Sequence, residues 1–201
     1  MDRVYLRLQS ARAALRVFWD LMERGWGLKR PLGMERTSTR AGWVIELQPQ
    51  SFEEFYRRSW SDVYRPLALT LRDPDLACES TDEAMARAFK HWRSVRAASN
   101  PTGWVYRVAL NWAIDRKRKL QKEILRTPPE RGVWMPQVVD VDLFEHLSSL
   151  SVPQRAVVVL RVLHDWSEAD TAEALGVPVG TVKSRLNRAL SALARRMSDD
   201  D

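Results

Sequence analysis

The stretch TAEALGVPVGTVKSRLNRAL, residues 171–190, decides how this chain is read. Two short apolar-periodic runs flank a Gly-Val-Pro break, and Lys183, Arg185 and Arg188 follow it. Residues 167–175 are expected to be a helix capped by Ser167. Asp170 stands at its capping-box position, in place of the usual Glu or Gln. Gly176 comes directly after the last periodic residue, where a left-handed helix end favours the absence of a side chain. Val177 can plug the turn. Thr181 lies near the start of the next helix, where its hydroxyl can bond a backbone N–H or a phosphate. Ala172 and Val182 are ten residues apart. In a helix-turn-helix they meet at the crossing, where a small residue permits close approach, and Leu175, Leu186 and Leu190 complete the shared core.

That arrangement leaves Lys183, Ser184, Arg185 and Arg188 on the outer side of the second helix. A major groove admits one helix, and cations there meet phosphates and guanine edges. A plain helical hairpin can carry the same charges. The Ala–Gly–Val spacing together with a basic second helix favours DNA recognition.

Working outward, VPQRAVVVLRVLHDW, residues 152–166, contains an apolar run that a strand would also suit. Its flanking helical periodicity, and Pro153 at a helix start, favour a helix. Residues 141–197 therefore form one helical domain. Residues 124–140, with TPPERGVWMP at 127–136, read as a flexible linker. Residues 51–123 form an earlier helical block. Ser51 precedes Glu53 and Glu54 as a cap with acidic first-turn residues, and Asp73-Pro74 is a second cap followed by an N1 proline. The next helix carries Ala77, Thr81, Ala84, Met85, Ala88, Phe89 and Trp92 as a core stripe, with Glu79, Asp82 and Glu83 on its other side. After the break RAASNPTG (96–103), a long helix ends in the basic run Arg116, Lys117, Arg118 and Lys119. Residues 1–50 hold an amphipathic stretch (Leu8, Ala11, Leu15, Phe18 and Met22 on one face) and then a linker-like run. Such a basic amphipathic segment can touch a membrane or partner, or be an extension from an upstream start, since Met22 and Met34 are later candidate starts. No role is assigned to it.

The fold class expected is all-α: two small helical domains joined by a flexible linker, the second a helix-turn-helix. The 201 residues carry 45% apolar and 29% charged side chains and a formal charge of +6. That balance suits a globular protein with a polyanionic partner. One cysteine, Cys78, excludes an internal disulfide framework, and His91, His146 and His164 lack ligand spacing. No metal or cofactor is expected. No run is long and apolar enough for a membrane span, and no signal peptide opens the chain, so a cytoplasmic protein without membrane insertion is expected. Gly-rich phosphate loops and nucleophile motifs are absent from the sequence, which argues against an enzyme.

Residues 152–193, with LG followed by GTVKSRL, resemble the promoter-reading carboxy-terminal domain of bacterial RNA polymerase sigma factors, extracytoplasmic-function group. Thr171 departs from the family's bulky aliphatic residue, so looser packing is expected there. Residues 76–92 resemble the helix that docks on the polymerase clamp, with Glu79, Asp82 and Glu83 as the acidic cluster and Cys78, Ser80 and Thr81 as departures. Residues 101–119 resemble the segment that opens the minus-ten element. The resemblance implies that Trp104, Arg107, Asn111, Arg116, Lys117, Arg118 and Lys119 contact melted DNA, and that the 96–103 loop builds a pocket for a flipped base. It likewise implies that Thr181, Lys183, Ser184, Arg185 and Arg188 read the upstream element. Core RNA polymerase and promoter DNA are the implied partners, with an anti-sigma factor as a further one. Other readings stay open for single groups. Trp92, Trp104 and Trp112 at helical spacing suit a core, and the basic run suits a solvated helix end near the dipole. Two rivals also stand beside this function: a one-component helix-turn-helix regulator working without polymerase, and a helical adaptor that never touches DNA.

Overall fold

The computed structural model describes residues 51–124 and 141–199. The amphipathic stretch within 1–50 and all of the expected linker beyond Ile124 lie outside the described residues. The protein is all-α. Its helices are α1 (Phe52–Leu71), α2 (Pro74–Lys90), the single turn α3 (Trp92–Val95), α4 (Pro101–Ile124), α5 (Val141–Ser148), α6 (Val152–Val158), α7 (Glu168–Leu175) and α8 (Val179–Asp199). Among the described residues, no helix is long and apolar enough to cross a membrane.

The expected caps set these boundaries. Ser51 Oγ accepts from the Glu54 amide at 3.2 Å, and Asp73 Oδ1 accepts from the Leu76 amide at 3.0 Å. Each satisfies an amide that the first turn leaves without an intrahelical partner. Asn100 caps α4 in the same way, its Oδ1 accepting from the Gly103 amide at 2.7 Å. A Cβ on Gly103 would lie 2.5 Å from Asn100 Nδ2, so this cap needs a glycine at its third position. The 155–163 run is helical rather than extended. It opens into a π-turn over Val159–Leu163, which closes with His164 N–H donating to Val159 O at 3.0 Å.

Helices α1, α2 and α4 pack as one bundle, and α6, α7 and α8 as another. The two share a core. One buried cluster runs from Val63, Leu67 and Leu71 through Tyr106 and Leu110 to Leu160, Leu163, Ala174 and Leu193. Arg155 stitches the seam. Its Nε donates to Leu147 O at 2.9 Å, Nη2 to Leu150 O at 2.7 Å and Ser148 O at 3.4 Å, and Nη1 to Thr70 O at 3.0 Å. These oxygens belong to the last turns of α5 and α1 and the loop after α5, where carbonyls lack helical partners and the helix dipole favours a cation. Burial, with Arg72 nearby, pulls the Arg155 guanidinium down to about 10. Beside it the Tyr106 hydroxyl meets Thr70 Oγ1 at 3.0 Å, and the Tyr106 ring meets Trp166 edge-on at 5.8 Å between centroids.

A candidate nucleic-acid interface

The helix-turn-helix forms as the spacing requires. Ser167 Oγ accepts from the Asp170 amide at 3.0 Å. The return contact runs from the Ser167 hydroxyl to Asp170 Oδ2. Helix α7 ends at Gly176 with φ 63°, left-handed backbone that a side chain would strain. Val177 N–H then donates to Ala172 O at 3.0 Å, closing the turn. Ala172 and Val182 meet in a small buried cluster with Val157, flanked by Leu175, Val177 and Leu186. Thr171 is fully buried, and its Oγ1 has no hydrogen-bond partner.

Facing out from α8, Lys183 and Arg188 are exposed, and Thr181, Ser184 and Arg185 are half-buried. These five lie within two turns of one helix. Lys183 Nζ stands 3.3 Å from Glu168 Oε2 on α7. Ser184 Oγ donates to Thr181 O at 3.1 Å.

On α4, Trp104, Arg107 and Asn111 follow i, i+3, i+7 spacing and so share one face. Asn111 is exposed, while Trp104 and Arg107 are half-buried. Trp104 and Trp112 both pack against the core, so the indole of Trp104 is partly used in folding. Trp92 joins Phe52 and Phe55, with ring centroids 5.5 and 5.0 Å away. The basic run divides. Lys117 turns inward: its Nζ donates to Leu71 O at 3.0 Å and lies 4.0 Å from Asp73 Oδ2, closing the end of α1. Arg116 leans to Glu79 at 3.9 Å, and Arg118 to Asp115 at 3.5 Å. Arg116, Arg118 and Lys119 are exposed.

The acidic residues of α2 also share a face at i, i+3, i+4. Asp82 Oδ1 accepts from Trp60 Nε1 at 2.7 Å, and Glu83 pairs with Arg87 at 2.8 Å. Ser80 and Thr81 point the other way. Both are buried, and their hydroxyls return to Leu76 O at 2.6 Å and Ala77 O at 2.7 Å. These two departures from the family pattern therefore sit on the core side and leave the acidic face intact. Cys78 flanks that face, half-buried, its thiol 3.9 Å from Asp82 Oδ2. Burial first, then Asp82 and Asp75, push the thiol up and disfavour a thiolate.

Sequence reasoning missed three features: the buried Arg155, the Asn100 cap, and the approach of α7 to the 96–103 loop. Arg155 carried no signal, since arginine is ordinarily an exposed residue. Asn100-Pro101 followed by Gly103 was a legible cap signature.

Residues 55–123 match the family described as Sigma-70 region 2, and residues 142–193 match Sigma-70, region 4. The "ECF RNA polymerase sigma factor SigM" of Mycobacterium tuberculosis is 32% identical over 151 residues, covering 72% of this chain and 76% of that protein. The "RNA polymerase sigma-E factor" of Streptomyces coelicolor is also 32% identical, over 73% of this chain and 85% of its own length. The solved sigma factor RpoE of Bartonella quintana, in complex with the anti-sigma factor NepR, shares the fold with a TM-score of 0.63 at 22% identity, covering 75% of this chain and 98% of that one. The chain belongs to the extracytoplasmic-function group of RNA polymerase sigma factors, which direct core polymerase to promoter DNA.

Proposed function

We propose that the two halves divide the work of initiation. Residues 51–123 bind core polymerase through Glu79, Asp82 and Glu83 and open the minus-ten element with Trp104, Arg107, Asn111, Arg116, Lys117, Arg118 and Lys119. Residues 141–197 read the upstream element with Thr181, Lys183, Ser184, Arg185 and Arg188. The observation that carries this reading is the outward, cation-bearing face of α8 directly after the left-handed Gly176 turn. A helix so mounted fits a major groove, with its cations toward phosphates and base edges.

Unpaired bases exposed by melting need stacking faces and donors. The Trp104–Arg107–Asn111 stripe supplies both, with stacking worth about 1–3 kcal/mol per base. Lys117 contributes through the end of α1 as well as through charge, given its bond to Leu71 O. The acidic stretch on α2 suits a basic docking surface on the polymerase. RNA synthesis belongs to the polymerase, so the protein itself has no catalytic residue, and it acts in the cytoplasm where that enzyme works. An anti-sigma factor, such as the one the Bartonella relative is bound to, is part of the same reading.

Transcription by purified core polymerase on pooled genomic fragments, with and without this protein, tests the proposal. Transcripts with discrete 5′ ends that appear only with the protein, and disappear with the triple E79A/D82A/E83A variant, support it. Sequence-specific duplex binding with no new transcript would favour a regulator acting without polymerase.

A further inference from the structure

Phe89 stands at core-stripe spacing on α2, yet 66% of it is exposed. Among the described residues the exposed large apolar side chains are Phe89, Tyr56 and Val179, and the first two share one site. Phe52 holds them together, its ring centroid 5.0 Å from Phe89 and 6.1 Å from Tyr56. One turn beyond Tyr56 on α1, Trp60 Nε1 donates to Asp82 Oδ1 at 2.7 Å. Asp82 and Phe89 are seven residues apart on α2 and so lie on one face. Rings from α1 and α2 thus line a groove between the two helices, and Asp82 edges it. Burial first, then Asp82 and Cys78, push the Tyr56 hydroxyl up, as a carboxylate beside it requires. Exposed apolar patches rimmed by polar groups mark docking sites.

We propose that this aromatic groove receives the basic amphipathic stretch of the same chain, residues 3–22, seated through Leu8, Ala11, Leu15, Phe18 and Met22.

Three observations select that occupant. The first is where the chain enters. Helix α1 begins at Phe52, the central ring of the groove, with Ser51 as its cap, so the preceding residues leave from the groove itself. At up to about 3.3 Å per residue, the chain from residue 23 to Ser51 is long enough to return the stripe over Phe52. The second is charge. Residues 1–16 carry Arg3, Arg7, Arg12 and Arg16 against Asp2 alone, and the groove is edged by Asp82, with Glu79 one turn away. By helical spacing Arg7 and Arg12 flank the apolar stripe, where a guanidinium can meet a carboxylate or an aromatic face. The third is attachment. A segment on the same chain acts at an effective concentration of about millimolar, which a second copy at micromolar concentration does not match. Asp82 also belongs to the acidic face proposed above for polymerase docking, so on that reading a seated segment covers part of that face.

The test uses the full chain with Phe89→p-benzoylphenylalanine, irradiated at low micromolar concentration without polymerase, so that its outcome leaves the polymerase reading untouched. Adducts mapped by peptide mass spectrometry are expected within residues 3–22 of monomer-sized protein, in a yield that does not change on dilution. L15E/F18E places charge on the stripe and should cut that yield about tenfold. R7E/R12E should cut it about threefold, because ion pairs at such a surface contribute modestly. Neither pair of changes alters a residue of α1 or α2. Adducts in dimer-sized protein, adducts confined to α1, α2 and α3, or no adducts at all overturn the proposal. A yield that either pair of changes leaves intact overturns it too.

Discussion

Replacing Arg155 with Met removes a side chain that ties the end of α1 to the end of α5. The guanidinium is buried, 7% exposed, and its acceptors are all backbone carbonyls: Leu147 at 2.9 Å, Ser148 at 3.4 Å, Leu150 at 2.7 Å and Thr70 at 3.0 Å. Exchanging a buried ion pair for packed hydrophobes is often neutral or better, because both charged partners leave together. Here the partners are main chain and cannot leave. Each hydrogen bond to a charged donor contributes about 1.5 kcal/mol at the low end, so four give about 6 kcal/mol. Against this stands relief of the desolvated charge. Burial pulls the guanidinium down to about 10, so that relief offsets part of the lost bonding. A net loss of about 3 kcal/mol, the low end for removing one side of a buried charged contact, lowers Tm by about 6–12 °C in a protein of this size. Arg155→Lys, which keeps the charge but offers one donor nitrogen, should fall between the two. Thermal and urea unfolding followed by circular dichroism measure the effect. A Met variant as stable as the parent would mean that the carbonyls find other partners, and the seam would then be hydrophobic rather than polar in origin.

Other perturbations probe the DNA faces and the core. Lys183→Ala with Arg185→Ala should weaken upstream-duplex binding and make its salt slope shallower by about 1–2, since each phosphate contact contributes about 0.9; an unchanged slope counts against phosphate contact by α8. Asn111→Ala should reduce permanganate reactivity of unpaired promoter thymines more than it reduces duplex binding, and equal losses would remove its melting role. Thr171→Val takes away a buried hydroxyl without a partner, so unfolding should become harder by about 1 kcal/mol; a loss of stability would place an unseen acceptor beside it. In alkali, Tyr64 is pushed up to about 12 by burial, with Cys78 and Asp75 adding to it, and burial raises Tyr106 too. The unfolded chain ionises its tyrosines near pH 10 while the fold keeps these protons, so stability should decline from about pH 10 upward. Absorbance at 295 nm against pH, beside urea midpoints, checks this; a flat stability profile between pH 10 and 12 would refute it.

The helix-turn-helix was legible because its determinants are local. Ser167, Gly176 and the Ala172–Val182 spacing all act within twenty residues, where capping, left-handed backbone and close approach follow from residue type alone. The caps at Ser51 and Asp73 were legible for the same reason. What escaped was non-local. Thr70 and Arg155 are far apart in sequence, and no periodicity in either helix marks a partner across the seam. The shared basic run shows the limit within one helix. Residue type gave four equivalent cations at 116–119, but the α1 terminus draws Lys117 inward and Glu79 draws Arg116 sideways. Thr171 shows the converse. Its departure from an aliphatic residue was visible, and the structure adds what residue type alone did not show, a buried hydroxyl without a partner.

The division of charge across the seam joins these observations. Helix α7 is acidic where it meets the 96–103 loop, and α8 is basic where it faces solvent. Both belong to one helix-turn-helix, so their relative orientation is fixed by the Ala172–Val182 contact and the Gly176 turn. The hairpin has an acidic first helix and a basic second one, so a polyanion is drawn to the second. The carboxylates of α7 favour cationic or neutral donors over phosphates. Ser99, Asn100 and Arg107 are such donors on this chain. The same hairpin geometry that presents Lys183, Arg185 and Arg188 outward therefore also determines what α7 touches, and a substitution that rotated α8 about its axis would be felt at the opening loop as well as at the upstream element.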